Sequence, residues 1–275
     1  MGRKTHNWPR TDRRHGVIYV VVGLLLCAGG IVPAAAGPTG PAWLWLLWPG
    51  LDYLFLGGCY LFNGDVGTFA LGKRLLTGRL HPVSALVFLP YLLASFALWR
   101  AKHLVLGEPV CERVWEGVWV GRWPWEVAIG DARFQANPIT HVVDLTGEFP
   151  ALGGFHRRRG VTYICCPSMD RLLASPAVLA AAVRTVSRDA RCTYVHCANG
   201  HGRSGLFAAM LLVYDGHCKT IDEALIVMRQ QRKVLNWQPH QQHVAEQALE
   251  LLRSHNPLNS GVGDSSVELN EKMAV

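Results

Sequence analysis

The hydrophobic pattern divides the chain into an apolar N-terminal part and a mixed C-terminal part. Residues 16–37 contain no charged side chain, and residues 42–62 form a second apolar stretch rich in tryptophan. The first stretch is long enough to cross about 30 Å of hydrocarbon, and tryptophan favours the boundary between lipid and water. We interpret the two stretches as a helical hairpin in a membrane. A cleaved signal peptide is the alternative, because Ala34–Ala36 resemble a cleavage region.

A third apolar stretch, residues 82–99, is shorter and contains two prolines. Basic side chains lie on both of its flanks, in the loop at residues 63–81 and directly after the stretch. This pattern favours a helix that lies in the membrane interface over a third crossing. Residues 16–103 are therefore predicted to be membrane-associated, and the basic segment 1–15 is expected on the cytoplasmic side together with the C-terminal domain.

From about residue 108 the pattern is that of a soluble domain, in which short β-rich runs alternate with helical segments. Strands are expected within residues 114–121, 139–145, 161–166 and 193–196. Helices are expected within residues 125–134, 176–190, 204–215, after Thr220, and within 239–253. Strands that alternate with helices predict an α/β fold with a central mixed sheet over residues 108–253. The polar tail, residues 254–275, is predicted to be disordered.

One short stretch, residues 192–205, combines several features of an oxyanion-binding loop. A β-rich run leads into Cys197, two glycines follow at Gly200 and Gly202, and Arg203 precedes a helical segment. Glycines allow consecutive backbone N–H groups to turn inward, and the positive end of the helix dipole attracts an anion. The same field stabilises a thiolate, while the arginine can bind two phosphate oxygens at once.

Composition adds information about partners and compartment. Half of the residues are hydrophobic, 17% are charged, and the formal net charge is +7. A positive charge suits anionic substrates or anionic lipid surfaces, and no recognised nucleic-acid module is present. The 8 cysteines show no zinc-type spacing. Since a working thiolate needs a reducing compartment, we expect mostly free thiols. The lack of zinc-type spacing leads us to expect no metal, and we expect no cofactor.

Phosphate-ester hydrolysis through cysteine requires a nucleophile, an oxyanion cradle, and an acid and base for the leaving group and water. Cys197 is the candidate nucleophile, and Ser204 can reach its sulfur or cap the following helix. His196 is expected to orient the loop. The candidate phosphate-binding residues are Ala198, Asn199, Gly200, His201, Gly202 and Arg203.

Taken as a whole, His196–Ser204 resembles the HCxxGxxR[ST] signature of the cysteine-dependent protein tyrosine and dual-specificity phosphatases. The resemblance covers roughly residues 112–252 and implies a small phosphatase domain. It also implies that Asp170, which follows a predicted strand, is the general acid. Asp144 and Asp189 are the rival carboxylates. An arsenate reductase or a sulfurtransferase would also use a Cys-x5-Arg loop, but neither explains an upstream acid loop.

Several side chains have two possible roles. His201 lies inside the loop, where a partly protonated ring would favour anionic substrates, although it could also be a solvated turn residue. The basic run 157–159 could be a solvated loop or a contact with lipid headgroups. The resemblance suggests that Arg232 and Lys233 help to line the site. His240 and His243 share a helix face that we expect to be solvated.

Within the superfamily, the run 144–149 and the loop around Asp170 look like the phosphatidylglycerophosphate-phosphatase branch. That branch usually carries two basic side chains inside the loop, whereas this sequence has Ala198 and His201 there. The leading hypothesis is a membrane-anchored phosphatase acting on a lipid such as phosphatidylglycerophosphate or a phosphoinositide. The alternatives are a phosphoprotein phosphatase and a catalytically silent phosphate-binding scaffold.

Overall fold

The computed structural model describes residues 11–36, 40–127, 130–156 and 159–254. These residues contain five strands, β1 (Cys111–Trp115), β2 (Val118–Gly121), β3 (His141–Thr146), β4 (Thr162–Ser168) and β5 (Thr193–His196). The strands form one sheet in the order β1-β2-β5-β3-β4. β1 pairs with β2 in antiparallel fashion, and the other three pairings are parallel. The sheet is therefore mixed and the domain is α/β, as the sequence predicts.

The two central strands explain why their sequences are apolar on both faces. Every residue of β3 and of β5 is buried, as expected for parallel strands that are covered by other elements on each side. One face packs against a large core to which Val183, Leu206 and Phe207 belong. The other face packs against a smaller cluster that includes Phe134 and Phe155.

The helices of the C-terminal part follow the predicted start signals, except for the short helix at Gly153–His156, which was not predicted. They are α6 (Gly153–His156), α7 (Pro176–Asp189), α8 (Arg203–Tyr214), α9 (Ile221–Arg229) and α10 (Pro239–Ser254). Ser175 caps α7 by accepting a hydrogen bond from Val178 N, and Thr220 caps α9 by accepting one from Glu223 N. α8 is buried from its first residue to Val213, so the helix after the candidate loop runs through the core.

The N-terminal part is helical. Its elements are α1 (Arg13–Ala36), a 3-10 helix (Gly40–Leu46), α2 (Leu47–Phe62), α3 (Gly64–Ala70), α4 (Pro82–Val87) and α5 (Leu89–Leu106). α1 and α2 form an antiparallel hairpin in which Asp12 N donates to Tyr60 O at 3.0 Å. Gly16 and Gly57 allow the two backbones to approach closely, because a side chain on either would overlap the other helix.

Within the part of the chain that the structure describes, α1 is the one helix long and apolar enough to cross a membrane, over Arg13–Val32. Many of its apolar side chains face outward; Leu25, for example, is 68% exposed. This assignment rests on the length and composition of α1. α2, with 16 residues, is shorter than a helix that crosses a membrane usually is.

Three segments differ from the sequence expectation. Residues 63–81 are not a free loop, because they contain α3 and a β-bridge between Lys73 and Leu80. The apolar stretch 82–99 is divided at Phe88 into α4 and α5, and α5 continues to Leu106. Of the helix expected over residues 125–134, the described residues show only a 3-10 turn at Ala132–Phe134.

Some predictions concern residues outside the described parts of the chain. They are the basic segment 1–10, Arg157 and Arg158 of the basic run, and the tail from residue 255 to residue 275. The predicted disorder of the tail and the predicted lipid contact of the basic run therefore stay predictions.

Candidate active site

The candidate loop lies at the carboxyl edge of the parallel strands. Cys197 follows β5 directly, and the register aligns His196 with Gly121 of β2 and with Asp144 of β3. The segments that follow β3 and β4 therefore open on the same edge as the loop, which is where parallel sheets place their ligand sites. This topology brings together residues that are far apart in the sequence.

The loop turns tightly between β5 and α8. Gly200 has a φ of 72°, and a side chain there would overlap the backbone of Gly121. Only glycine satisfies both conditions without strain. α8 begins at Arg203, so the N-terminus of a buried helix faces the loop.

Cys197 is surrounded by groups suited to a thiolate. Cys197 is only 3% exposed. Gly200 N donates to Cys197 Sγ at 3.2 Å, and Ser204 Oγ lies 3.3 Å from the same sulfur. Hydrogen-bond donors and a helix N-terminus both stabilise a sulfur anion. The predicted neighbours of the nucleophile, Ser204 included, are thus assembled around it.

Arg203 is fully buried in a ring of acceptors. Its Nη2 donates to Glu148 Oε1 at 2.6 Å and to Asp170 Oδ1 at 3.0 Å, and its Nη1 donates to Glu148 Oε2 at 3.1 Å. Nη1 also donates to Ser168 O at 2.8 Å. Although burial lowers the pKa of Arg203, the negative charges of Glu148 and Asp170 raise it well above its ordinary value. The guanidinium stays charged and its plane is held.

Glu148 was not singled out in the sequence. Its carboxylate forms the bidentate contact that orients Arg203, and it also accepts from Gly147 N at 3.0 Å. The available signal was its position just after β3, at the carboxyl edge of the sheet. Charge pattern alone does not identify such a residue, because a carboxylate in a loop is normally solvated.

The structure brings Asp170 to the site and leaves its two rivals away from it. Asp170 lines a cavity of about 290 Å³ together with Cys197 and Arg203, and its side chain is 40% exposed. Asp144 is fully buried and pairs with Lys73 at 2.6 Å. Asp189 ends α7 and does not line this cavity. Asp170 is thus the one of the three carboxylates that lines the cavity of Cys197.

The segment that carries Asp170 is held by residues of α2 and α10 and by Asp12, which directly precedes α1. Tyr60 of α2 donates its hydroxyl to Asp170 O at 2.9 Å. Arg171, the one non-glycine residue with positive φ in the described chain, forms an ion pair with Asp12 at 2.7 Å. His240 Nε2 lies 2.8 Å from Arg171 O. His240 therefore contacts the acid loop, and the expectation of a solvated face is wrong for it.

The two histidines of the loop lie in different environments. His196 is buried beneath the loop, where its Nε2 lies 3.9 Å from Asp144 Oδ1. His201 lines the cavity, as expected, but its Nε2 is 2.6 Å from Glu108 Oε2. Burial lowers the pKa of His201, and the hydrogen bond to Glu108 offsets only part of this effect. The structure therefore gives His201 a carboxylate partner, which neither of its two expected roles, a partly charged ring for anionic substrates or a solvated turn residue, included.

Arg232 supports the loop from behind. Its side chain is fully buried, its Nε donates to Gly200 O at 2.9 Å, and its Nη1 pairs with Glu112 Oε2 at 3.0 Å. Neither Arg232 nor Lys233 lines the cavity. Arg232 thus holds the loop backbone, and the suggestion that both residues line the site is not supported by their positions.

The N-terminal helices form a wall of the site. A second cavity of about 310 Å³ is lined by aromatic side chains from both parts of the chain, among them Tyr19 of α1, Tyr91 and Trp99 of α5, and Phe149. The two cavities share His15, Lys102, Asp170 and Asn199. The two cavities are therefore adjacent, and together they extend from Cys197 to the space between α1 and α5; we call the pair the groove. The sequence placed these helices outside the catalytic domain and did not predict their part in the site.

α5 is attached to the loop itself. Trp99 Nε1 donates to Ala198 O at 2.8 Å, and Trp99 packs in a cluster with Trp123, Phe149 and Ala198. A small side chain at Ala198 leaves room for these rings. The resemblance led us to expect a basic side chain at position 198. In this structure Ala198 stands there and packs against Trp99 of α5.

All eight cysteines are free. Within the described ranges, no group of three or more His, Cys, Asp or Glu side chains is arranged to hold a metal ion.

Comparison with known proteins finds a family model that is similar to the C-terminal part. Residues 130–262 match the family model of PTP-SAK, described as a Swiss Army Knife protein, DSP-PTPase phosphatase domain. The match begins after β2 and includes β3, β4, β5 and the whole candidate loop. No curated protein matches the chain significantly.

Solved structures with a similar arrangement cover about half of this chain. The crystal structure of PTPMT1 in complex with PI(5)P is 17% identical, with a TM-score of 0.46, and covers 53% of this chain and 98% of its own. Tk-PTP in the active form is 24% identical, with a TM-score of 0.42, and covers 54% and 99%. Human DUSP28 is 19% identical, with a TM-score of 0.41, and covers 53% and 97%.

Proposed function

We propose that this protein is a cysteine-dependent phosphatase that is anchored in a membrane and hydrolyses a phospholipid phosphomonoester. The match of residues 130–262 to the DSP-PTPase phosphatase model supports the phosphatase activity. Phosphatidylglycerophosphate and a phosphoinositide are the candidate substrates. The observation that carries the proposal is the groove between Cys197 and the helices α1 and α5. A lipid bound with its phosphate at Cys197 would direct its remainder toward apolar helices.

In the first step of the proposed reaction, the Cys197 thiolate attacks phosphorus and the bond to the leaving oxygen breaks. Asp170 in its acid form gives that oxygen its proton. Arg203 and the loop N–H groups bind the three remaining phosphoryl oxygens. Because Arg203 Nη2 is shared between Glu148 and Asp170 before substrate arrives, the incoming phosphate replaces Asp170 as a partner while Glu148 keeps the guanidinium oriented.

In the second step, water attacks the phosphocysteine and the phosphorus–sulfur bond breaks. The Asp170 carboxylate accepts a proton from this water, and inorganic phosphate is released. The sulfur leaves as a thiolate, which Ser204 at 3.3 Å and Gly200 N at 3.2 Å can stabilise by hydrogen bonding. The cycle returns Asp170 to its acid form and Cys197 to its thiolate, and its steps use only side chains of this chain and water.

The proposed membrane arrangement rests on which ends of the helices meet the catalytic part. Asp12 and Tyr60, at the start of α1 and the end of α2, both contact the acid loop. The α1–α2 hairpin therefore leaves the catalytic part and returns to it. α4 and α5 lie beside this hairpin, since Trp48 Nε1 of α2 donates to Val87 O of α4, and Trp99 of α5 contacts Ala198. This arrangement supports an α1–α2 hairpin that enters the membrane from the side of the catalytic part, with α5 not crossing. The basic residues of the N-terminal segment favour the cytoplasmic side.

The test is phosphate release by the full chain in detergent micelles. Phosphatidylglycerophosphate, a phosphoinositide monophosphate, their deacylated counterparts and a phosphotyrosine peptide are compared at equal monoester concentration. The proposal predicts a higher kcat/KM for an acylated substrate than for its deacylated form. A preference for the phosphopeptide would establish the phosphoprotein alternative instead. p-Nitrophenyl phosphate is added as a general phosphatase substrate. Failure to hydrolyse this compound and all the others would support a catalytically silent scaffold.

A further inference from the structure

Lys102 of α5 lies between the two halves of the groove. It lines both the cavity that contains Cys197 and the aromatic cavity next to it. Trp99, three residues earlier on the same helix, donates to Ala198 O at 2.8 Å. Residues three apart share a helix face, so the hydrogen bond that attaches α5 to the loop also directs Lys102 toward the groove.

The other Lys and Arg side chains of the groove already have carboxylate partners. Arg203 pairs with Glu148 and Asp170, and Arg171 pairs with Asp12. Lys102 is half-buried and forms no ion pair with any residue in the described ranges. A partly desolvated ammonium in a groove attracts an anion more strongly than one in bulk water, because the effective dielectric constant is lower.

We propose that Lys102 binds a second anionic group of the substrate, a phosphodiester placed between the reacting phosphomonoester and the apolar remainder. The order of sites along the groove carries this inference: Cys197 and Arg203 first, Lys102 next, and the aromatic side chains last. A phospholipid whose headgroup ends in a phosphomonoester has its groups in the same order. The inference rests on the proposed function for the lipid, but the pairing of Lys102 with a diester also applies to a soluble substrate.

The experiment compares two soluble substrates, deacylated phosphatidylglycerophosphate, which has a monoester and a diester, and glycerol 3-phosphate, which has the monoester alone. In wild-type protein we expect kcat/KM to be about 10-fold higher for the diester-containing compound, the effect of one charge-assisted contact. Lys102→Met should bring the ratio of the two values close to one, mainly through KM. Lys102→Arg should retain most of the ratio.

Arg100→Met is the matched control. Arg100 lies on the same helix and is a cation, but it pairs with Glu126 at 2.8 Å and lines neither cavity. We expect this variant to keep the wild-type ratio. A Lys102→Met variant that keeps the ratio, or that lowers both substrates by the same factor, would overturn the inference.

The lipid substrate is tested separately with the same wild-type and variant proteins. The quantity compared is kcat/KM for acylated phosphatidylglycerophosphate divided by kcat/KM for its deacylated form. Loss of the diester preference in Lys102→Met without any acyl preference in wild type would support the Lys102 site and reject the lipid substrate. An acyl preference with no effect of Lys102 on the diester preference would do the reverse. The two ideas can therefore fail independently.

Discussion

The buried ion pair between Lys73 and Asp144 links the N-terminal helical part to the catalytic sheet. Both side chains are 0% exposed, and Lys73 Nζ lies 2.6 Å from Asp144 Oδ2. Lys73 Nζ also donates to Thr146 O at 2.7 Å and to Thr146 Oγ1 at 2.8 Å. We predict that Lys73→Met strongly destabilises the protein, because it removes the ammonium group that pairs with a buried carboxylate.

The magnitude follows from what remains around Asp144. After the substitution the carboxylate keeps hydrogen bonds from Thr146 N, Thr146 Oγ1 and Tyr163 OH, but it loses the ammonium group of Lys73. Removing one partner of a buried pair costs about 3–5 kcal/mol. For a protein of this size each kcal/mol corresponds to roughly 2–4 °C, so we expect the midpoint of thermal unfolding to fall by roughly 6–20 °C.

The assay is thermal unfolding of the full chain in one detergent, followed by residual p-nitrophenyl phosphate turnover. Arg74→Met is the matched control, since Arg74 is the next residue and is exposed. The double variant Lys73→Met with Asp144→Asn removes both charges and should recover a large part of the loss. The reasoning is refuted if Lys73→Met behaves like Arg74→Met, or if the double variant shows the sum of the two single losses.

Three further predictions concern the site. Cys197→Ser should abolish turnover of aryl phosphates while retaining binding of a phosphate analogue; unchanged turnover would remove the proposed mechanism. Asp170→Ala should lower kcat by about 10²–10⁴ for poor leaving groups and much less for p-nitrophenolate, and the same signature in Asp144→Ala instead would reassign the acid. His201→Asn should reduce the loss of stability on acidification. Burial lowers the pKa of His201 in the folded protein below its ordinary value of 6.5. Below pH 6.5 the unfolded state therefore binds more protons than the folded state, and the stability of the wild-type protein falls as the pH falls. A Tm-against-pH curve just as steep in His201→Asn would contradict this. In that comparison Glu108, whose pKa is lowered by the hydrogen bond and charge of His201 in spite of burial, contributes only at lower pH.

The candidate loop could be predicted because its chemistry is local. Strand, nucleophile, glycine turn, arginine and helix follow one another from Thr193 to Tyr214, so spacing along the chain already implies their spatial order. Backbone N–H groups, a helix N-terminus and Gly200 at positive φ need no distant partner to form the cradle. The acid loop was predicted by resemblance, and its position after β4 agrees with that expectation.

The partners of these residues could not be predicted in the same way. Glu148 and Trp99 contact the candidate loop across separations of 55 and 99 residues, and Lys73 pairs with Asp144 of β3 across 71 residues. Hydrophobic periodicity states which face of an element is buried, but it does not state what that face packs against. The basic loop and α5 were therefore interpreted from their flanking charges, as parts of a membrane anchor.

By itself, the sequence determined the α/β class, the oxyanion loop around Cys197 and the apolar N-terminal third. Only the tertiary structure decided that this apolar part is also a wall of the catalytic groove, with Tyr60 on the acid loop, Trp99 on the phosphate loop and Lys102 between the two cavities. The physical reason is that a side chain's role depends on which groups the packing brings within hydrogen-bonding distance. Local composition decides only whether a segment can be buried.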